Sequence, residues 1–309
     1  MDAIWTDVPV GVRGFLVVLA ALVVGFSSVP LVAKLLGRGD RMGDYWDRTR
    51  GWWMVCTVGV LGVLGGPMVL RGLLLGVTLL ALFELLPLVR PLPGTALRVA
   101  AVASVLIAGG LWAQSLGPAW LAPMVPGLLI PMTALLSEEP VDVSGRMGGT
   151  LLAAVLALAL MPQALLLEHV TPQGGFAGWF LFFLFVTQMN DLLQYSAGKL
   201  FGRRPIAPRV SPKKTWEGFV GGWILTVGAA GLVAPFLTPL GFGRAAMVGA
   251  VIAPLGLLGD LTVSAWKRSA GASVTGSLLP GFGGVLDRFD SLLYVAPLAA
   301  AALDAGVLP

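Results

Sequence analysis

One cysteine and one histidine are all that the 309 residues contain of the side chains that most often bind transition metals. Cys56 lies inside an apolar run, so neither a disulfide framework nor a cysteine metal cluster can be built. With His169 as the sole imidazole, zinc sites made from several histidines are excluded as well. Charge is scarce too: 12% of residues are Asp, Glu, Lys or Arg, against roughly a quarter in a soluble domain. No basic leader with a small-residue cleavage site opens the chain, so its first apolar run is expected to be a retained span. No repeat and no hydrophilic linker divides it. Cys56 is expected to pack as an ordinary apolar residue, and His169 to lie at a membrane interface.

What is present is hydrophobic. Residues of the apolar classes make up 57% of the chain, and their runs repeatedly reach the roughly 20 residues that cross a bilayer. The expected fold is an all-α polytopic membrane bundle of about ten helices, near 12–36, 52–69, 72–89, 96–114, 117–137, 148–168, 174–190, 217–237, 243–262 and 291–307. The second and third are short, with GGPMVLRG between them, and could instead form a re-entrant pair. We divide the chain into N-terminal transmembrane helices, 1–170, and a C-terminal region, 171–309. With the N-terminus outside, only Arg13, Arg71 and Arg244 of the 20 Lys and Arg stay on the outer side. The positive-inside rule then places both unusual polar segments, 191–216 and 263–290, in the cytoplasm. The net charge of +4 thus reports topology and contact with anionic lipid, and no nucleic-acid partner is expected. Trp52, Trp53 and Trp179 are expected to be interfacial belt anchors.

The first polar segment is expected to be a loop carrying six basic residues and no acid between Lys199 and Lys214. A solvated, topology-setting loop would explain the charge alone. Three prolines stiffen it, however, and SPKKT leads into an apolar helix starting near Trp216. Hydroxyls, lysines and free N–H groups at a helix start can receive an anion such as phosphate. In the second segment Asp260 ends one span, while Asp287 and Asp290 begin the next. Acids three apart share a helix face. Helix capping is the plain explanation for Asp287. Three carboxylates opposite a basic loop point instead to a divalent metal on hard oxygen ligands. A cationic phosphate cradle beside such a metal is the apparatus of phosphoryl or nucleotidyl transfer. Glu84, an acid within an apolar helix, is a functional candidate by default, although a structural hydrogen bond would account for it.

These residues resemble a known family. Ser264, Lys267, Arg268, Gly276, Pro280, Gly281, Gly283, Gly284, Asp287, Arg288 and Asp290 stand at the spacing of the phosphatidate cytidylyltransferase (CDP-diacylglycerol synthase) signature. Upstream, Ser211, Pro212, Lys214, Thr215, Glu217, Gly218, Gly221 and Gly222 match its second block. Asp191 and Tyr195 match an Asp-x-x-x-Tyr pair, and Gly259-Asp260 a Gly-Asp pair. The resemblance covers about residues 190–295. Where the family has Lys-Asp and His, this chain has Ser273-Val274 and Phe282.

The resemblance implies that CTP and phosphatidate, or a related anionic lipid, are joined with loss of pyrophosphate. It implies Mg²⁺ on Asp260 and Asp287, with Asp290 and Asp191 as further ligands, with or without a monovalent cation such as K⁺. Lys214, Lys267, Arg268 and Arg288 would neutralise phosphate charge, and Ser211 and Thr215 would donate hydrogen bonds to it. Gly281, Gly283 and Gly284 would let the backbone approach the ligand, and Tyr195 would contact substrate. Asp287, Lys267, Asp260 and Arg288 would form the catalytic set. A bacterial inner-membrane homodimer is the expected setting. The departures at 273, 274 and 282 leave two alternatives open, a CTP-dependent lipid-alcohol kinase and a lipid-binding paralogue without catalysis.

Overall fold

The computed structural model describes residues 26–35, 45–85, 177–269 and 284–309, with single positions 16, 19, 37, 39, 271, 272 and 276. These residues form eight helices and one hairpin: α1 (Phe26–Leu35), α2 (Tyr45–Leu64), α3 (Pro67–Leu85), α4 (Gly178–Phe201), β1 (Pro205–Ala207), β2 (Ser211–Thr215), α5 (Trp216–Leu237), α6 (Phe242–Ser269), α7 (Leu286–Phe289) and α8 (Leu292–Asp304). The spans expected at 96–114, 117–137 and 148–168, and His169, fall outside the described residues. Among the described residues two helices are long and apolar enough to cross a membrane, Trp216–Leu237 and Phe242–Ala265. Their outer faces carry Ile224, Leu232, Met247 and Val251, all more than half exposed. Such a surface is costly in water and suits lipid.

α4 is the central rod. Its residues from Gly178 to Asn190 are all buried, as expected of a helix apolar on every side. α2, α5, α6 and α8 pack around it. α5 approaches α4 through small residues: a Cβ on Gly218 would stand 2.8 Å from the Gly198 Cα, and one on Gly222 would stand 2.6 Å from the Gln194 Cα. Close crossing through glycines brings backbones together where lipid offers no hydrophobic drive. Asn190 ties the same helices by hydrogen bonds, its Oδ1 accepting from Gln194 Nε2 at 2.9 Å and Thr226 Oγ1 at 3.1 Å. Pro254 inside α6 cannot donate to the carbonyl four residues back. That carbonyl, Ala250, accepts from the Trp223 indole at 3.0 Å.

Several expectations need correction. The break between the second and third helices comes earlier than 69–72. Gly66 turns with φ +92° and Pro67 opens α3, where its fixed φ suits the first helical position and its missing N–H is not needed. Segment 191–216 is not one long loop. α4 runs on to Phe201, and the basic stretch then folds into an antiparallel hairpin with Ala207 opposite Ser211 and Pro205 opposite Thr215. The described residues are therefore helical with one small β element. Trp52 and Trp179 are core residues, 4% and 1% exposed, rather than belt anchors. Trp52 packs against Phe26, Trp53 and Phe185, and Trp179 stacks on Phe183. Cys56 is buried as expected.

Gly222→Val should cost about 1–3 kcal/mol by overpacking against α4. Gly228→Val, on a face with nothing within 4 Å, should be close to neutral. Thermal unfolding in detergent measures both.

Candidate active site

A polar stripe on α6 begins the site. Asp260, Ser264 and Lys267 recur at i, i+4 and i+7, so they stack on one face near the helix C-terminus. Ser264 Oγ donates to Asp260 Oδ1 at 3.2 Å. Each charged member of the stripe meets its opposite on another element. Lys214, at the end of β2, pairs with Asp260, and Lys267 donates to Asp287 of α7 at 2.6 Å. The side chains in both pairs are only 11–17% exposed. The described parts of both polar segments thus meet at the same end of the bundle.

The hairpin is pinned there from both sides. Thr215 caps α5, its Oγ1 accepting from Gly218 N–H at 3.2 Å. Glu217 Oε2 accepts from the Arg203 and Arg204 amides at 2.9 and 3.1 Å. Arg268 is exposed and grips the hairpin turn, with Nε donating to the Val210 carbonyl at 3.3 Å. It is placed on the hairpin and not in the cleft. Ser211 opens β2, and Lys214 closes the hairpin onto α6.

Asp191, Asp260, Asp287 and Asp290 line one cleft together with Arg288, Gln188, Leu192 and Trp52. Asp287 does not cap α7, whose N-cap is Val285 with no side-chain cap bond; its Oδ2 instead accepts from Gly284 N–H, ahead of the helix, at 3.2 Å. Asp290 lies in the turn between α7 and α8 and is 5% exposed. Burial first, then the Asp260 and Asp191 carboxylates, push its carboxyl well above the ordinary range, while Lys267 and Lys214 oppose the shift. Gly259 lets α6 pass directly against the Asp290 carbonyl. Tyr195 is one helical turn beyond Asp191 but outside the cleft lining; it stacks on Tyr45 with ring centroids 6.1 Å apart and carries Lys199 over its face. Gly284 is buried beside Asp287, while Gly281, Gly283 and the divergent Ser273, Val274 and Phe282 fall outside the described residues.

Two participants escaped the sequence reading. Gln188 donates to the Arg288 carbonyl at 2.8 Å, and its signal was a cluster of amides and acid, QMND, inside an apolar helix. Trp52 comes from the N-terminal half, where nothing in the sequence pointed to the site. Glu84, expected either as a functional acid or as a structural hydrogen-bond acceptor, accepts from Leu286 N–H at 3.0 Å.

The donor set is all oxygen and so suits a hard cation such as Mg²⁺. The cavity holds about 40 Å³, enough for an ion or a few waters. Among the described residues no three of these acids stand together as a closed metal cage. Two of the four hold lysine ammonium groups, which stand where positive charge is wanted. The donors fit a divalent cation by chemical kind, and two of them are occupied by ammonium groups in this arrangement.

Comparison with known proteins gives the family. Residues 46–305 match the cytidylyltransferase family, and the chain belongs to it. Uncharacterized protein YnbB of Escherichia coli (strain K12) is 45% identical over 144 residues, which are 47% of this chain and 48% of that protein. Proteins named phosphatidate cytidylyltransferase from Mycobacterium bovis and Haemophilus influenzae are 39% and 37% identical, each over 137 residues. Those alignments take in 43% and 42% of this chain, and 42% and 48% of the relatives. The chain thus spans about half the length of the curated relatives it matches.

Removing one partner of a buried ion pair costs about 3–5 kcal/mol because the other charge is stranded. Lys267→Met should therefore lower the melting temperature measured by tryptophan fluorescence. Adding Asp287→Asn should recover most of the loss.

Proposed function

We propose that this protein is a membrane nucleotidyltransferase that makes CDP-diacylglycerol from CTP and phosphatidate. The observation that carries the reading is the cleft in which Asp191, Asp260, Asp287 and Asp290 meet Arg288, with Lys214 and Lys267 paired to two of the acids. In a family of cytidylyltransferases, that combination is suited to a triphosphate and a lipid phosphate.

A phosphate oxygen of phosphatidate attacks the α-phosphorus of CTP. The bond between that phosphorus and the bridging oxygen to the β-phosphate breaks, and pyrophosphate leaves. Mg²⁺ held by Asp260 and Asp287, with Asp290 and Asp191 nearby, would neutralise charge on the triphosphate. A monovalent cation such as K⁺ would find its place among the same acids. Lys214 and Lys267, released from their aspartates, reach the phosphates, and Arg288 presents a further cation at the cleft wall. Arg268 contributes by fixing the hairpin unless it swings inward. The bilayer supplies the lipid, and the hairpin end of the bundle faces the cytoplasm, with the N-terminus outside. An inner-membrane protein of about ten spans, working as a homodimer, fits this scheme.

Purified protein with phosphatidate, Mg²⁺ and labelled CTP should yield CDP-diacylglycerol and pyrophosphate, and Asp287→Asn should abolish both. Release of free CDP with a phosphorylated lipid would identify a lipid kinase instead. No turnover, followed by activity once Ser273→Lys, Val274→Asp and Phe282→His are introduced, would identify a binding paralogue.

A further inference from the structure

Glu84 is nearly at the end of α3, more than a hundred residues from the signature, and is 4% exposed. It is the acid through which the N-terminal half touches the signature segment at two places. Its Oε2 accepts from the backbone N–H of Leu286, the first residue of α7 and the neighbour of Asp287. Its Oε1 faces Gly276 from the loop between α6 and α7: a Cβ on Gly276 would stand 2.6 Å from that oxygen and 2.8 Å from the carboxyl carbon. α7 packs on α3 around this contact.

We propose that Glu84 is a positioning residue that docks the head of α7 onto α3, and that position 276 is glycine because the Glu84 carboxylate occupies the space a side chain would take. The head of α7 is held at several points: Lys267 and the Gly284 amide on the Asp287 carboxylate, Gln188 on the Arg288 carbonyl and Glu84 on the Leu286 amide. Of these four, Glu84 comes from the N-terminal half and ties α7 to α3. It also explains a matching glycine of the signature without asking it to touch phosphate. The inference rests on the cleft being a cation site only for its functional consequence; the docking itself is independent of that reading.

Hydrogen exchange over 284–290 and binding of Mn²⁺, read by its electron paramagnetic resonance, test it on purified full-length protein. Glu84→Ala should speed exchange at Leu286 and weaken Mn²⁺ about 10-fold, in the range found when a ligand's supporting partner is lost. Glu84→Gln keeps a carbonyl acceptor and should restore protection and most of the affinity. Gly276→Ala, which pushes the carboxylate off Leu286 without altering α3, should reproduce Glu84→Ala and keeps the test open if that variant does not fold. The double variant should be no worse than Glu84→Ala alone. Unchanged exchange in Glu84→Ala and Gly276→Ala, or fully additive losses in the double variant, would overturn the proposal. Asp287→Ala separates the two readings. If it leaves Mn²⁺ binding intact the cation site fails, while the exchange data still decide the docking.

Discussion

Two lysine–aspartate pairs at one end of an apolar bundle hold the working part of this protein in place. A carboxylate among hydrophobic helices is costly unless an opposite charge and hydrogen bonds accompany it. Asp260 and Lys267 lie seven residues apart on one face of α6, and each takes its partner from elsewhere, Lys214 from the hairpin and Asp287 from α7. One helix face therefore gathers three chain segments. The hairpin caps the head of α5 through Thr215, so the same pairing also fixes where that helix begins.

The pairs could not register without a rigid shaft beneath them. α4 supplies it, and it does so with two stripes of polar residues. Asn190 and Gln194 face α5 and α6 and lock them by hydrogen bonds to Thr226 and the Ala253 carbonyl. Gln188 and Asp191 face the cleft instead. Glycines 218 and 222 let α5 lie near enough for the first stripe to be satisfied. Small residues for approach and amides for direction are the usual means of fixing helices where the surroundings are apolar. Here they place the head of α5, and with it Lys214, over α6.

Most of this geometry was legible from periodicity and spacing. Apolar runs located the described helices of the C-terminal half, and the i, i+4, i+7 pattern at 260, 264 and 267 follows from residue positions alone. The convergence of Asp260, Asp287 and Asp290 was expected from three acids at neighbouring span ends. What failed did so for physical reasons. The basic stretch looked like a loop because lysine, arginine and proline mask strand pattern, and because pairing with a distant aspartate is invisible locally. Trp52 and Trp179 looked like belt residues because sequence cannot tell an aromatic at a helix end from one turned inward. Glu84 was ambiguous because its partner is a backbone N–H about two hundred residues away, and a backbone amide leaves no mark in the sequence.

The choice of lysine in both pairs bears on how such a site could work. A guanidinium would grip a carboxylate through two parallel hydrogen bonds in a fixed plane, and would be slow to exchange it. An ammonium is a point charge on a flexible stem, and these two pairs keep a little exposure to solvent. Each lysine can therefore leave its aspartate more readily than an arginine would. The arginines are used differently. Arg268 clamps the hairpin backbone, and Arg288 sits on the cleft wall with its own carbonyl held by Gln188. Under the proposed chemistry, exchangeable charges face the acids and fixed ones build the frame. Replacing Lys214 or Lys267 by arginine would keep the charge and lose that division, so the two residue types are not interchangeable here even though each is monovalent.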